Sequence, residues 1–268
     1  MPSRATAAVP TPTQPGASSP TAAPNRVALE NTLTAFRIAA QQGVRWIEFD
    51  ASLLGDGTAV LHHDDTLDRC TDASGPLAGL SAADLGRIDA GSWFCPDFAE
   101  EPLATLDQAL DLIDALSLSA ILEMKPHDAP PEAMARAVTE ALRRRPWARR
   151  RILVSRFDLA AMAALRLLMP EQPLAMLYED PPADWPSVLA ALNACSLHIQ
   201  NDCLTDGILA RAAVERVHVR VYTINEPARM VRFRAAGGAA ALAGVITDHP
   251  PLFLGDADWE AWAAGHAT

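Results

Sequence analysis

Trp46-Ile47-Glu48-Phe49-Asp50 runs through Ala51-Ser52-Leu53-Leu54 into the turn Gly55-Asp56-Gly57, and the chain returns as Ala59-Val60-Leu61-His62 before His63-Asp64-Asp65. An Asp-Gly turn between apolar runs marks a β-hairpin. Pairing folded about Asp56 sets Asp50 across from His62 and Glu48 across from Asp64. Side chains alternate along a strand, so Glu48 and Asp50 share one face. Acids at the end of a buried strand are costly unless cations meet them. A second stretch, Ile121-Leu122-Glu123-Met124-Lys125-Pro126, adds another carboxylate and a cation. Together they predict Glu48, Asp50 and Glu123 around one divalent ion, His63 for proton transfer and Lys125 facing an anion. Oxygen-only ligands select Mg²⁺ or Ca²⁺ over zinc. Taken singly, each acid could equally pair with a nearby Arg or Lys, and Lys125 could pair with Glu123.

Outward from this hairpin, short apolar strands recur: Ser119 to Glu123, Arg151 to Ser155, Leu174 to Tyr178, Ser196 to Ile199, Val217 to Thr223 and Gly244 to Thr247. Asn31-Thr32 caps a helix whose apolar stripe is Leu33, Phe36, Ala39 and Ala40. Further helices fit Ser81 to Asp89, Leu106 to Ala115, Pro131 to Arg144, Leu159 to Leu168, Asp184 to Leu192, Thr205 to Val214 and Pro227 to Ala236. Alternating strands and helices imply a parallel sheet with both faces covered. A doubly wound open sheet is the rival, but no Gly-x-Gly-x-x-Gly loop follows any strand. The polar residues singled out fall at strand C-terminal ends, where an α/β (β/α)8 TIM barrel carries its chemistry. Residues 66–104 interrupt the rhythm and predict a small loop-rich insertion, with Trp93 and Phe94, forming a small cap near the site.

The chain has 268 residues, a normal length for one such barrel. Its net charge of −11 disfavours nucleic acid as the main partner, because the summed field repels polyanions. No apolar run approaches a membrane span, so stable insertion is not expected. Cys70, Cys95, Cys195 and Cys203 show no C-x-x-C spacing and read as ordinary thiols. Residues 1–29 differ from the rest, being rich in Ala, Pro, Ser and Thr, with Arg4 and Arg26 as the charges. Without an apolar h-region they do not read as a secretory signal, which gives a cytoplasmic expectation. Disorder is the expectation for this segment, and residues 30–268 form the barrel domain.

The chain resembles the glycerophosphodiester phosphodiesterase family. The matching stretches are Glu30-Asn31-Thr32-Leu33-Thr34-Ala35-Phe36, Ile47 to Asp50, His63-Asp64-Asp65-Thr66-Leu67-Asp68-Arg69, Leu122 to Pro126, Leu153 to Asp158, Tyr222-Thr223-Ile224-Asn225 and Gly244 to Asp248, in family order. The resemblance implies a barrel that cleaves glycerophosphodiesters, small molecules, to glycerol 3-phosphate and an alcohol. It implies that Glu48, Asp50 and Glu123 bind the metal, that His63 is one of two acid/base histidines, and that Lys125 contacts phosphate. Tyr222 stands where the family usually has Trp and implies a wall for the substrate. The family's opening strand ends in His-Arg-Gly, which supplies the second histidine. This chain has no such triplet and no histidine before His62.

One reading joins that gap to the odd composition. Ser19-Pro20-Thr21-Ala22-Ala23-Pro24 can be encoded by codons that, read one base earlier, give Ile-Ala-His-Arg-Gly-Ala. Residues 1–29 are then mistranslated text of the first strand. Two alternatives to hydrolysis follow: an impaired barrel that binds a phosphodiester or metal without turnover, and a phospholipase D-like lyase that leaves a cyclic phosphate.

Overall fold

The computed structural model describes residues 29–229, 233 and 239–253. Residues 1–28, which include the stretch read as a candidate frame shift, lie outside the described residues, as does most of the helix expected over Pro227 to Ala236. Within them the hairpin forms where its turn chemistry places it. β1 (Trp46–Leu53) and β2 (Ala59–Leu61) pair antiparallel as Ala51 with Leu61, Ser52 with Val60 and Leu53 with Ala59. That is the register predicted about Asp56, although the ladder stops one pair short of Asp50 and His62. Gly57 takes φ +86° in the turn, a left-handed backbone that favours glycine.

The remaining strands are β3 (Ser119–Lys125), β4 (Ile152–Arg156), β5 (Leu174–Tyr178), β6 (Ser196–Gln200), β7 (His218–Tyr222) and β8 (Leu242–Val245). They form one eight-stranded sheet in the order β2-β1-β3-β4-β5-β6-β7-β8, parallel from β1 through β8. Helices cover its outer face: α1 (Leu33–Gln41), α2 (Leu106–Ala115), α3 (Pro131–Arg143), the short α4 (Ala148–Arg151), α5 (Leu159–Leu168), α6 (Trp185–Leu192) and α7 (Asp206–Glu215). Strand and helix alternate as the apolar periodicity predicts. Thr32 caps α1 by accepting from the Ala35 amide, and Thr105 with Gln108 forms a capping box at α2. The main core lies between strands and helices, with Phe36, Phe49, Leu110 and Leu122 fully buried. A smaller apolar plug of Ile121, Leu153 and Ala175 fills the inner side.

Among the described residues β8 pairs only with β7, and β1 meets β2 only through Ala51, Ser52 and Leu53. The edge of β1 from Trp46 to Asp50 therefore faces the place where a closing strand belongs, and Trp46 is 47 % exposed there.

Residues 66–104 correct one expectation. Ser81 to Asp89 is not an α-helix but a 3-10 segment, Ala82–Arg87, started by a Ser81–Asp84 capping box. Only a few residues separate that cap from the bridge of Asp89 to Pro102, too few to propagate an α-helix. The insertion packs Leu67, Leu77, Ile88 and Leu103 against Leu54 and Val60 of the hairpin. It has a core of its own against the hairpin, and its Arg69 reaches Asp64 beside His63.

Candidate active site

β1 and β3 run side by side with Asp50 opposite Glu123, so two strands with acids at inward positions bring three carboxylates together. Glu48, Asp50 and Glu123 each offer an oxygen, all within 4.8 Å of one another. Two oxygens bound about 2.4 Å from one ion lie at most about 4.8 Å apart, so the spacing suits a shared hard cation. All three side chains are buried, Asp50 completely. Glu48 Oε2 accepts no hydrogen bond, an expensive condition for a buried carboxylate, and Asp50 Oδ1 meets only the Lys125 ammonium described below. Burial, then the Asp50 and Glu123 charges, push Glu48 well above the usual carboxylate range. Burial likewise raises Glu123. This donor set fits a divalent oxygen-seeking ion.

Lys125 stands at the end of β3, with Nζ 2.6 Å from Glu123 Oε1 and 3.3 Å from Asp50 Oδ1. Burial works against its charge, but Asp50 and Glu123 outweigh burial and hold it as ammonium. One ammonium among three acids leaves the corner electron-rich.

Asp50 is aimed by Asn31, which donates from Nδ2 to Asp50 Oδ2 at 3.0 Å and accepts from the Asp50 amide at 2.9 Å. Asn31 sits at φ +55°, a left-handed conformation that Asn tolerates better than most residues.

His63 follows β2 at the cavity edge and has a chain of partners behind it. Its Nδ1 lies 2.7 Å from Asp64 Oδ1, and Asp64 receives Arg69 Nε at 2.5 Å on its other oxygen. Arg69 also grips Glu30 with two bonds, at 2.8 and 2.5 Å. Although burial opposes it, hydrogen bonds from Arg69 and His63 lower the Asp64 carboxyl to about 2. An ionised carboxylate can only accept, so His63 Nδ1 is the donor and its Nε2 is left for proton exchange. His62, by contrast, points away and meets the Thr66 carbonyl at 2.8 Å.

These elements open onto one cavity of about 340 Å³ at the C-terminal ends of the strands, lined by Glu48, His63, Glu123, Lys125 and Tyr222 among others. Asp50 lies just behind this wall. Tyr222 ends β7, donates from its hydroxyl to the Tyr178 carbonyl at 2.9 Å, and meets Phe157 edge to face at 6.4 Å. The structure thus gathers all six residues predicted from sequence.

Sequence reasoning missed Asn31, Glu30 and Arg69 as supports, although all three lie in quoted motifs. It also missed His127 and His198. His127, at φ +47°, has Nε2 3.0 Å from Ser52 Oγ. Ser52 gives its own proton to the His62 carbonyl, so His127 is the donor, tying the loop after β3 to β1. His198 lies on β6 and lines the cavity.

A parallel α/β barrel with a buried acidic corner and a carboxylate-held histidine at its strand ends defines the class of barrels equipped for cation-assisted acid/base chemistry. The glycerophosphoryl diester phosphodiesterase family model matches residues 16–252, and the chain belongs to that family of phosphoric diester hydrolases. It is similar to a phosphodiesterase of Oleispira antarctica solved in complex with the product sn-glycerol-3-phosphate, with 29% identity, TM-score 0.79, and coverage of 88% of this chain and 92% of that one. A putative glycerophosphoryl diester phosphodiesterase from Silicibacter pomeroyi superposes with TM-score 0.72 at 26% identity, covering 83% and 86% of the two chains. The glycerophosphodiester phosphodiesterase of Caldanaerobacter subterraneus is 25% identical over 225 residues, 84% of this chain and 90% of that protein. Among the described residues no helix is long and apolar enough to cross a membrane.

Proposed function

We propose that this chain hydrolyses glycerophosphodiesters to glycerol 3-phosphate and an alcohol, with one Mg²⁺ or Ca²⁺ held by Glu48, Asp50 and Glu123. The observation that carries this is the convergence of those three buried acids beside Lys125 and a tethered His63 in one cavity. The bound cation would neutralise phosphate charge as a Lewis acid. Lys125, released from part of its bonding to the acids, reaches a phosphate oxygen as a point charge. His63, fixed by Asp64, Arg69 and Glu30, exchanges a proton at Nε2 with either the attacking glycerol hydroxyl or the departing alcohol. Tyr222 and Phe157 wall the substrate. Phosphorus NMR of the protein with glycerophosphocholine and Mg²⁺ or Ca²⁺ tests this: glycerol 3-phosphate appears, and a chelator abolishes it. A persistent cyclic phosphate would point to the lyase reading, and substrate left intact would end the hydrolytic one.

A second reading has its own support. No histidine precedes His62, so a barrel with one acid/base group would bind metal and phosphodiester without turnover, or with turnover reduced about 10² to 10⁴-fold. We read residues 1–29 as mistranslated text of the closing strand. The gene's nucleotide sequence decides it: codons unable to yield His-Arg in another frame end the idea, and a repaired frame should regain turnover.

A further inference from the structure

The cavity continues from the acidic corner to a polar group that phosphate chemistry does not use. β6 reads Ser196-Leu197-His198-Ile199-Gln200, and strand alternation puts residues 196, 198 and 200 on one face. His198 and Gln200 both line the cavity, so that face looks inward. His198 is 0 % exposed, and neither its Nδ1 nor its Nε2 has a hydrogen-bond partner. Buried polar atoms in native folds nearly always have partners, so two unmet nitrogens on a cavity-lining ring point to a ligand there.

The surroundings select the guest. Burial, then the positive Arg220 opposite it on β7, keep the ring uncharged. Arg220 is engaged elsewhere: Nη1 donates to Ser196 Oγ at 2.8 Å, and its guanidinium carbon stands 5.5 Å from the centre of the Trp46 ring. Leu177 pairs with His198 across β5 and β6, and Ile121 and Ile246 add apolar wall to the same cavity. A neutral imidazole offers one donor and one acceptor, the same pair that an alcohol hydroxyl carries. Anions and cations each satisfy only one half of it.

We propose that His198 is the hydroxyl-recognition residue of the cavity, taking a hydroxyl of the glycerol moiety while the acidic corner takes the phosphate. The assignment to glycerol, rather than to the alcohol that leaves, follows from depth. His198 is fully enclosed, whereas Phe157, on the wall beside Tyr222, is 40 % exposed at the mouth where a head group of variable size fits. This rests on the phosphodiester reading of the same cavity and adds to it a subsite that distinguishes a polyol phosphate from phosphate alone.

Calorimetric titration of the full chain in Mg²⁺ with glycerol 3-phosphate, and separately with inorganic phosphate, tests it. His198→Phe should weaken glycerol 3-phosphate about tenfold and leave inorganic phosphate within about twofold, the loss expected for one hydrogen-bonding group. His198→Gln, which restores a donor and an acceptor, should recover part of the difference. Equal loss of both ligands in His198→Phe would make the residue structural and overturn the proposal, as would no loss of either. Should that variant fail to melt cooperatively, histidine-labelled nitrogen NMR of the unmodified chain replaces it. The buried ring's nitrogens should then shift with glycerol 3-phosphate and not with phosphate, and silence to both overturns the proposal. A wild-type chain that binds neither ligand refutes the phosphodiester reading itself, whereas one that binds both with equal affinity removes the hydroxyl subsite alone.

Discussion

Replacing Arg69 by Met cuts the link between Glu30 and the Asp64–His63 pair while keeping most of the side chain's length. Arg69 makes two bonds to Glu30 and two to Asp64, at 2.5–3.1 Å, and the Glu30 side chain is only 7 % exposed. A fully buried pair broken from one side costs about 3–5 kcal/mol and an exposed one about 0–1. Arg69 is itself 31 % exposed, which places Arg69→Met between the two limits, at about 2–3 kcal/mol. For a chain of this size that lowers Tm by roughly 5–10 °C. Most of the cost is the stranded Glu30 carboxylate, so Arg69→Met with Glu30→Gln should be more stable than Arg69→Met alone by about 1 kcal/mol or more. Urea unfolding of the two singles and the double, at pH 7, measures both quantities. A single-mutant loss below about 0.5 kcal/mol, or a double mutant no better than the single, would refute the idea that this guanidinium holds the acid beneath His63.

Two further outcomes follow from the same structure. The Asp64 carboxyl, lowered to about 2 from an ordinary 3.8, contributes stability that is complete above about pH 4 and disappears as pH falls toward 2. Discounted for partial exposure this is about 1–2 kcal/mol, and Asp64→Asn should flatten that part of the acid unfolding curve; an unchanged curve would show the carboxyl to be unperturbed. Leu122 is fully buried in β3 between Phe49 and Val154, so Leu122→Ala should cost about 2–5 kcal/mol in the same urea assay, and a loss under about 1 would mean a loose core.

How much the sequence disclosed differs by element for physical reasons. Buried parallel strands are short apolar runs, so Leu174–Tyr178 agrees to the residue and β3 and β4 to within two. Thr105 and Gln108 announce the start of α2 because the capping box is local in sequence. Ser81 and Asp84 announce a start equally well, but nothing local says how soon the chain must turn back to pair Asp89 with Pro102. The acids of the site were legible because Glu48 and Asp50 share a face two residues apart and Glu123 ends another strand. Their supports were not: Asn31 meets Asp50 across 19 residues and Arg69 meets Glu30 across 39, and such pairings depend on tertiary register. His198 left a trace that a stricter reading would catch. Ser196, His198 and Gln200 alternate polar with apolar Leu197 and Ile199, a pattern out of place in a strand buried on both faces unless one face lines a cavity.

The central claim is that three acids from two strands share one divalent ion. Calorimetric titration of Mg²⁺ and of Ca²⁺ into chelator-treated protein, beside Glu48→Gln, Asp50→Asn and Glu123→Gln, addresses it directly. The account predicts one ion per chain and at least about a tenfold loss of affinity in each variant. Wild-type affinity retained in all three, or no saturable binding to the parent chain, would contradict it.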